Sequence, residues 1–483
     1  MQKQPTLTPA RKDRRSGAAL VMAALSLIVL VPMLGLAIDG ATVYLRRNQM
    51  NAALDAAVLA AARSLNVGQT IDQQACSATS IGNQVFLADT GIVRGMTLDS
   101  VAQAPTCPAY TLPAGGLVFQ VAQNSNQTRT VSGYLSADIP LVFMGMIHVQ
   151  IAHINLTAMA TRRDVDVMLV LDNGFPMSNV GGGANINPLS TMQSSAVMFV
   201  NLFANGRDHV GLVTFTGAPW VADAPLQTFL PQVPTDINAM GVNIHGSLYG
   251  AGSGGPNTSA ALEAAYQQLQ KLGNTGALNV IVLFTDGVPT GFSGNFGSFL
   301  ASGQNLCTPG TQVNGVLWAL YDGSGLGQGL TDPTAQSEND DPASRAAPAC
   351  PGGDTLRPAT LLTGMPSVDL FNSSTNGSYE PVALSSVTPA NIIAASKNAL
   401  DAAATTIRTD TTLKPVIFVI SLKGNPGLQP DDNLLAKIAN DPNSSYYQSG
   451  QTSGQYIPAP STAQLQSAFT SIASQVLRLA AFN

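Results

Sequence analysis

Four patterns of apolar and polar positions divide this chain. From Gly17 to Ile38 nearly every residue is apolar. About 20 such residues cross a bilayer as a helix, so 17–38 reads as a transmembrane helix, with Pro32 expected to kink it. Asp39 ends the run, and a helical pattern continues. Met50, Leu54, Ala57, Ala61 and Leu65 recur at spacings of three and four and form one apolar stripe. The surrounding alanines favour helix. Such a stripe either covers a core or lets small residues bring membrane helices close together.

The third pattern is weaker. Gly116–Ala122, Arg129–Ile139 and Val149–Ala160 are short β-prone runs punctuated by Asn, Gly and Pro. They predict a small β-rich region. His148 and His153 stand an odd number of residues apart, so on one strand they face opposite sides, which argues against a shared metal.

From Asp164 onward the pattern changes again. An unbroken apolar run, Val167 to Leu171, ends at Asp172 and enters a loop with Gly174 and Pro176. Val280 to Phe284 ends in Thr285-Asp286-Gly287, and His209–Thr216 and Val416–Ile420 are of the same kind. Short apolar runs bounded by turn residues read as strands buried on both faces of a parallel sheet. Trp220–Ala222 reads as a short edge strand. Helical stripes lie between: Met192, Val197, Phe199 and Leu202; Leu262, Ala265 and Leu269 after Thr258; Leu434, Leu435 and Ile438; Phe469, Ile472 and Val476. Alternating strands and helices predict an α/β fold with a doubly wound parallel sheet. Between Val288 and Thr388 the alternation breaks into Gly-, Ser-, Pro- and Asp-rich sequence. An intervening segment that long is usually functional or disordered. It leaves the sheet directly after Asp286, so it is expected near the sheet's carboxyl edge.

The predicted organisation follows. Residues 1–16 are a cytoplasmic basic segment and 17–38 a transmembrane helix. Residues 39–66 continue it as an Ala-rich helix, and 67–163 are a β-rich periplasmic region. The α/β domain comprises 164–287 and 389–483, with 288–388 inserted. Lys3, Arg11, Lys12, Arg14 and Arg15 against Asp13 place the amino end in the cytoplasm by the positive-inside rule. Arg46 and Arg47 on the far side weaken that asymmetry without reversing it.

Composition narrows the chemistry. The 483 residues carry a formal charge of −6 with only 10% charged residues, so no basic stripe points to nucleic acid. Cys76 and Cys107, then Cys307 and Cys350, contain no Cys-x-x-Cys pattern for zinc or redox work. In an oxidising compartment the natural pairs are Cys76–Cys107 and Cys307–Cys350, although sequence alone leaves free thiols and other pairings open. Gly250–Thr258 is glycine-rich but lacks the lysine of a phosphate-binding loop. No histidine stands beside a nucleophile, and no catalytic constellation is identified. Asp172 and Asp286 end two buried strands, so both carboxylates lie on the sheet edge where open α/β folds bind ligands. Two such carboxylates repel unless a cation, a helix N-terminus or a proton intervenes. The plainer alternative is that they cap turns and helix starts.

These features carry two resemblances. The strand ending at Asp172, the segment Gly255-Pro256-Asn257-Thr258-Ser259-Ala260-Ala261-Leu262, and Thr285-Asp286-Gly287 together resemble a von Willebrand factor type A domain. The resemblance implies a divalent cation, Mg2+ or another, with Asp172, Thr258 and Asp286 among its ligands. The family's adhesion site also takes two serines from an Asp-x-Ser-x-Ser loop, and here those positions are Gly174 and Pro176, which carry no side-chain oxygen. Ser178 lies two residues past the wanted place. A hard cation needs several oxygen ligands, so the motif is degenerate. Separately, Arg14-Arg15-Ser16-Gly17-Ala18-Ala19, the apolar span, Ala37-Ile38-Asp39-Gly40 and Asn51-Ala52-Ala53-Leu54-Asp55-Ala56-Ala57 resemble the amino terminus of TadE/TadG-like proteins of Tad (Flp) pilus assembly. Met22 stands five residues past Gly17 where prepilin processing wants Glu, so cleavage is not expected.

Together the resemblances imply a single-pass inner-membrane protein, largely periplasmic, that is not an enzyme. It would assist Tad/Flp pilus assembly or anchoring by binding pilus machinery or pilin proteins. The alternatives are a metal-dependent surface adhesin and, further off, an envelope hydrolase.

Overall fold

The computed structural model describes residues 15–66, 71–90, 97–98, 117–124, 127–174, 177, 188–241, 255–299, 307–308, 314–319, 355–356, 362–423 and 429–482. Ser178, Cys107, Cys350 and the first basic residues lie outside this set. The chain divides into two units. The first comprises 1–64, 75–121 and 131–160, and the second comprises 65–74, 122–130 and 161–483.

In the first unit one helix, α1 (Arg15–Arg63), runs from the apolar span through Pro32 into the Ala-rich stretch without interruption. It is long and apolar enough to cross a membrane. Its character changes along its length. Leu20 to Ile38 are exposed except at Gly35, whereas Met50, Leu54, Ala57 and Ala61 are fully buried. The stripe therefore packs within the protein and is not left for a neighbouring membrane helix. A second helix, α2 (Ile71–Thr90), falls where only β structure was expected. It buries Gln74, Ser77, Thr79 and Asn83, polar residues that conceal an apolar face from a sequence reading. Asn83 answers for its burial by accepting from Leu117 N–H and donating to the Thr79 and Leu117 carbonyls.

The β-rich region is a small sheet. Strands β1 (Thr97–Leu98), β2 (Val118–Gln123), β3 (Thr128–Pro140) and β4 (Ile151–Arg163) are joined so that β1 and β2 pair with β3, and β3 with β4. Both long strands alternate buried and more exposed positions, the period-two signature of a sheet with one covered face.

The second unit is built on a six-stranded sheet. In chain order its strands are β5 (Val165–Asp172), β6 (His209–Phe215), β7 (Pro219–Leu226), β8 (Leu278–Thr285), β13 (Val416–Leu422) and β14 (Tyr456–Ala459). Their spatial order is β14-β13-β8-β5-β6-β7, parallel except for β7, which returns antiparallel along β6. Every residue of β5, β6, β8 and β13 is buried. That is why these strands read as continuous apolar runs without alternation.

Among the described residues six helices cover the two faces. Helices α3 (Pro188–Val200), α4 (Gln232–Ala239) and α8 (Leu465–Ala480) supply Met192, Phe199, Ile237, Phe469 and Ile472 to the face carrying Val167, Leu169 and Leu171. Helices α5 (Thr258–Leu272), α6 (Pro389–Thr409) and α7 (Asp432–Ile438) pack Leu262, Leu269, Leu400, Ile407 and Leu434 against Met168, Val170, Ile281 and Leu283. Full burial of each such side chain stabilises by about 1.5–3 kcal/mol. After α8 a last strand, β15 (Ala481–Phe482), pairs antiparallel with Arg162 and Thr161.

The described residues of 288–388 include β9 (Gly291–Asn295), β10 (Cys307–Thr308), β11 (Asn314–Trp318) and β12 (Thr355–Leu356). β9 pairs with β11, and β10 with β12. Phe292, Phe296, Leu317, Leu362 and Met365 form a third apolar cluster over Ile392 and Ala395 of α6. Cys76 on α2 is disulfide-bonded. Cys107 and Cys350 are not among the described residues, and the pairs Cys76–Cys107 and Cys307–Cys350 are proposals.

Candidate functional site

The carboxyl edge of the six-stranded sheet gathers the candidate residues because of register. Leu171 of β5 lies opposite Phe284 of β8, so Asp172 comes level with Thr285, one residue before Asp286. The Thr285 hydroxyl donates to the Asp172 carboxylate at 2.9 Å, and Gly174 N–H donates to its other oxygen at 3.0 Å. The backbone N–H of Asp286 also hydrogen-bonds Asp172. The carboxylate thereby ties the end of β5 to the end of β8 and to its own loop. Asp172 thus caps the turn that follows β5.

Thr258 reaches the same edge by another route. Asn257 N–H donates to Thr216 O at 2.6 Å, just beyond β6, which fixes the start of α5 at the strand ends. Asn257 then caps α5, its side chain accepting from Ala260 N–H at 3.3 Å. Thr258 follows as the first helical residue. Its hydroxyl is buried and has no hydrogen-bond partner among the described residues. The same holds for the side-chain oxygen of Asn173 and for the Thr290 hydroxyl.

Electrostatics set Asp286 apart from Asp172. Burial pushes both carboxyls up, and the neighbouring Asp172 pushes Asp286 well above the usual carboxylate range. Asp172 has donors that favour its charged form, whereas no lysine or arginine pairs with Asp286 among the described residues. Burial and the facing Asp172 carboxylate both disfavour a charged Asp286. Among the described residues no three His, Cys, Asp or Glu side chains cluster as a metal site. The donors present are therefore two carboxylates, one of them heavily engaged, and the unpartnered Thr258 hydroxyl.

The inserted segment does reach this edge. Thr290 N–H and Gly291 N–H both face Pro256 O, at 3.3 and 3.4 Å. Gly255 presses so closely on Thr290 that a Cβ there would stand 2.1 Å from the Thr290 hydroxyl oxygen. Further along, Asp369 accepts from the Ser259 hydroxyl at 3.4 Å, and Ser373 donates to Glu263 at 3.2 Å. Burial raises Glu263 to about 7 and Asp369 to about 6. Sequence reasoning missed Glu263 and Asp369. Nothing in their local pattern marks them, because they meet only when the insertion folds over α5.

Two regions match known family models. Residues 17–64 match the model described as putative Flp pilus-assembly TadE/G-like. Residues 167–288 match the von Willebrand factor type A domain. No curated protein matches the chain. Among solved structures, the PilB minor pilin from Streptococcus sanguinis is 16% identical, with 75% of this chain and 78% of that one covered, at a TM-score of 0.36. The vWF domain of the type V pili tip protein Mfa5 from Porphyromonas gingivalis is 18% identical, covering 65% and 95%, at a TM-score of 0.34. Likenesses at that level carry no functional argument. The family models and the sheet topology agree with one another: the chain carries a TadE/G-like amino-terminal segment followed by a von Willebrand factor type A domain.

Proposed function

We propose that this protein assists the assembly or anchoring of a Tad/Flp pilus by binding pilus machinery or pilin proteins. It does so from the inner membrane, with its amino end cytoplasmic and its bulk periplasmic. The observation that carries this reading is α1. One unbroken helix holds all but the last residue of the TadE/G-like segment, exposed along its apolar half and buried on one face of its Ala-rich half. That is the form expected of a tether rooted in lipid at one end and in protein at the other. The type A domain offers the binding element at its carboxyl edge, where the insertion meets Gly255, Pro256 and Glu263. Deleting the gene and counting surface pili by electron microscopy tests the reading. Pili should vanish and return with the full chain, and normal piliation in the deletion strain would refute it. Protease added to spheroplasts should digest the carboxyl-terminal part; protection until the inner membrane is lysed would overturn the placement.

A second reading, a cation-dependent adhesin, is favoured by the unpartnered Thr258 hydroxyl at the same sheet edge as Asp172 and Asp286. These three would hold a divalent cation, which would supply a charge for a partner's carboxylate to complete. Calorimetry with magnesium chloride on the detergent-solubilised full chain separates the two. One-site binding that Asp172→Asn abolishes supports the adhesin, and the absence of heat supports the first reading.

A further inference from the structure

The turn between β3 and β4 lies against the apolar half of α1, within the first unit. Leu141 N–H to Gln150 O, at 2.8 Å, closes this connection at its base. At its near side Val142, Phe143 and Met144 donate their backbone N–H groups to the Asp39 carboxylate, at 3.2, 2.9 and 2.7 Å. Asp39 is buried by this contact although it sits at the end of the apolar run. One turn earlier, Gly35 makes room for Phe143; a Cβ on Gly35 would stand 2.6 Å from the Phe143 Cβ. Gly35 belongs to the 17–38 span, roughly 6 Å along the helix inside Asp39 at 1.5 Å per residue.

The connection therefore reaches the level of residues that lie in the hydrocarbon if α1 crosses a bilayer. Its surface suits that place. Val142 is 75% exposed, and Val149, Ile151 and Phe143 are 43%, 46% and 37% exposed. Between Asp138 and Arg162 there is no Asp, Glu, Lys or Arg. A water-facing turn does not need such a surface, and single exposed apolar residues would not be remarked on. Here Phe143 lies against Gly35 of α1, around which Met33, Leu34, Leu36 and Ile38 are exposed as well.

We propose that the 141–150 connection is a lipid-binding wedge. It enters the headgroup and acyl boundary beside α1, on the side where the helix leaves the membrane, and Asp39 holds it there. The occupant of its apolar surface is lipid. A carboxylate this close to hydrocarbon is costly unless its oxygens are satisfied, and three backbone donors satisfy them. Asp39 is thus a positioning residue: it neutralises the turn's unpaired N–H groups and sets the depth of the wedge. The proposal rests on the membrane-spanning reading of α1.

The test uses the full chain reconstituted into vesicles of phosphatidylethanolamine and phosphatidylglycerol with brominated acyl chains. Emission of an introduced tryptophan is read against the parent protein, whose Trp220 and Trp318 give a constant background. Leu27→Trp reports the span, and Val142→Trp and Val149→Trp report the wedge. In the expected result all three lose roughly half their added emission to bromine and resist aqueous iodide, as probes 5–10 Å into the boundary would. Adding Asp39→Ala should restore the emission of Val142→Trp while leaving that of Leu27→Trp quenched. Quenching of Leu27→Trp with both wedge probes open to iodide overturns the wedge alone. If Leu27→Trp itself escapes bromine, the membrane-spanning reading falls and the wedge with it. Wedge quenching that survives Asp39→Ala removes Asp39 from the proposal.

Discussion

At the scale of residues, two carboxyls in the second unit carry testable consequences. Asp286 is buried beside Asp172, and no lysine or arginine pairs with it among the described residues, so its charged form is disfavoured and costs stability as pH rises. Asp286→Asn should raise thermal stability at pH 7.5 by on the order of 1 kcal/mol, read by calorimetry without divalent ions. A loss of stability that magnesium governs would instead favour the cation-dependent reading. Glu263 is raised to about 7 from an ordinary 4.5. The native state then binds more protons than the unfolded one between those values, so stability falls as pH rises through that window. Glu263→Gln should remove this slope and stabilise at pH 7.5 by roughly 3 kcal/mol at most. Equal pH slopes in both proteins would show that Glu263 titrates normally.

Among elements, the first unit interlocks through two glycines that touch one ring. Phe119 of β2 lies against Gly82 of α2 and Gly133 of β3, where an added Cβ would stand 2.3 and 2.9 Å from ring atoms. Gly133 also faces Val58 of α1, at 2.7 Å. The Ala-rich half of α1 is thus packed by contacts that tolerate no extra atom. Gly133→Ala should cost about 1–3 kcal/mol, the usual penalty of overpacking a filled core, seen as a lower urea midpoint. An unchanged midpoint would mean that this junction is loose. The stripe on α1 was readable from its spacing. That it faces β structure and not another membrane helix was not readable, because both partners ask for the same small residues. Helix α2 was not read at all, since its buried face is largely polar and its partners, such as Leu117, are distant in sequence.

In the molecule as a whole, the second unit treats charge differently at the two ends of its sheet. At the carboxyl edge, Asp172 and Asp286 face no arginine or lysine among the described residues. Just before β5 and β6, Asp164 and Asp208 meet Arg207 and Arg162, all buried. Asp208 also accepts from Val165 N–H and Ala204 N–H, at 3.2 and 2.8 Å. Burial alone would raise Asp208, but Arg207, Arg162 and these N–H donors outweigh it and hold the carboxyl below its usual range. Removing that charge leaves the buried Arg162 guanidinium without its carboxylate, so Asp208→Asn should destabilise by about 3–5 kcal/mol, measured by chemical denaturation. Titration works in both directions here. A lowered Asp208 loses its contribution as pH falls through its folded value, whereas Asp164 beside it, raised by burial to about 6, withdraws its contribution as pH rises, as do the raised Glu263, Asp369, Asp172 and Asp286. The unfolding temperature of the second unit should therefore peak near about pH 5 and decline toward neutrality. A profile flat from pH 5 to 7.5 would contradict this balance.

Sequence by itself determined the elements whose signal is local or strictly periodic. Four buried strands showed as apolar runs because helices cover both faces of a parallel sheet. The membrane-spanning length showed because lipid demands an unbroken apolar helix, and Asp172 and Asp286 fell on one edge because parallel strands end on the same side. Tertiary structure alone decided what required distant segments to meet. It paired Asp172 with Thr285, left the Thr258 hydroxyl without a described partner, and set Glu263 beside Ser373. It also brought residues 142–144 onto Asp39, a hundred positions back along the chain. A carboxylate's role depends on which donors surround it, and those donors are chosen by packing, which leaves no period along the chain to read.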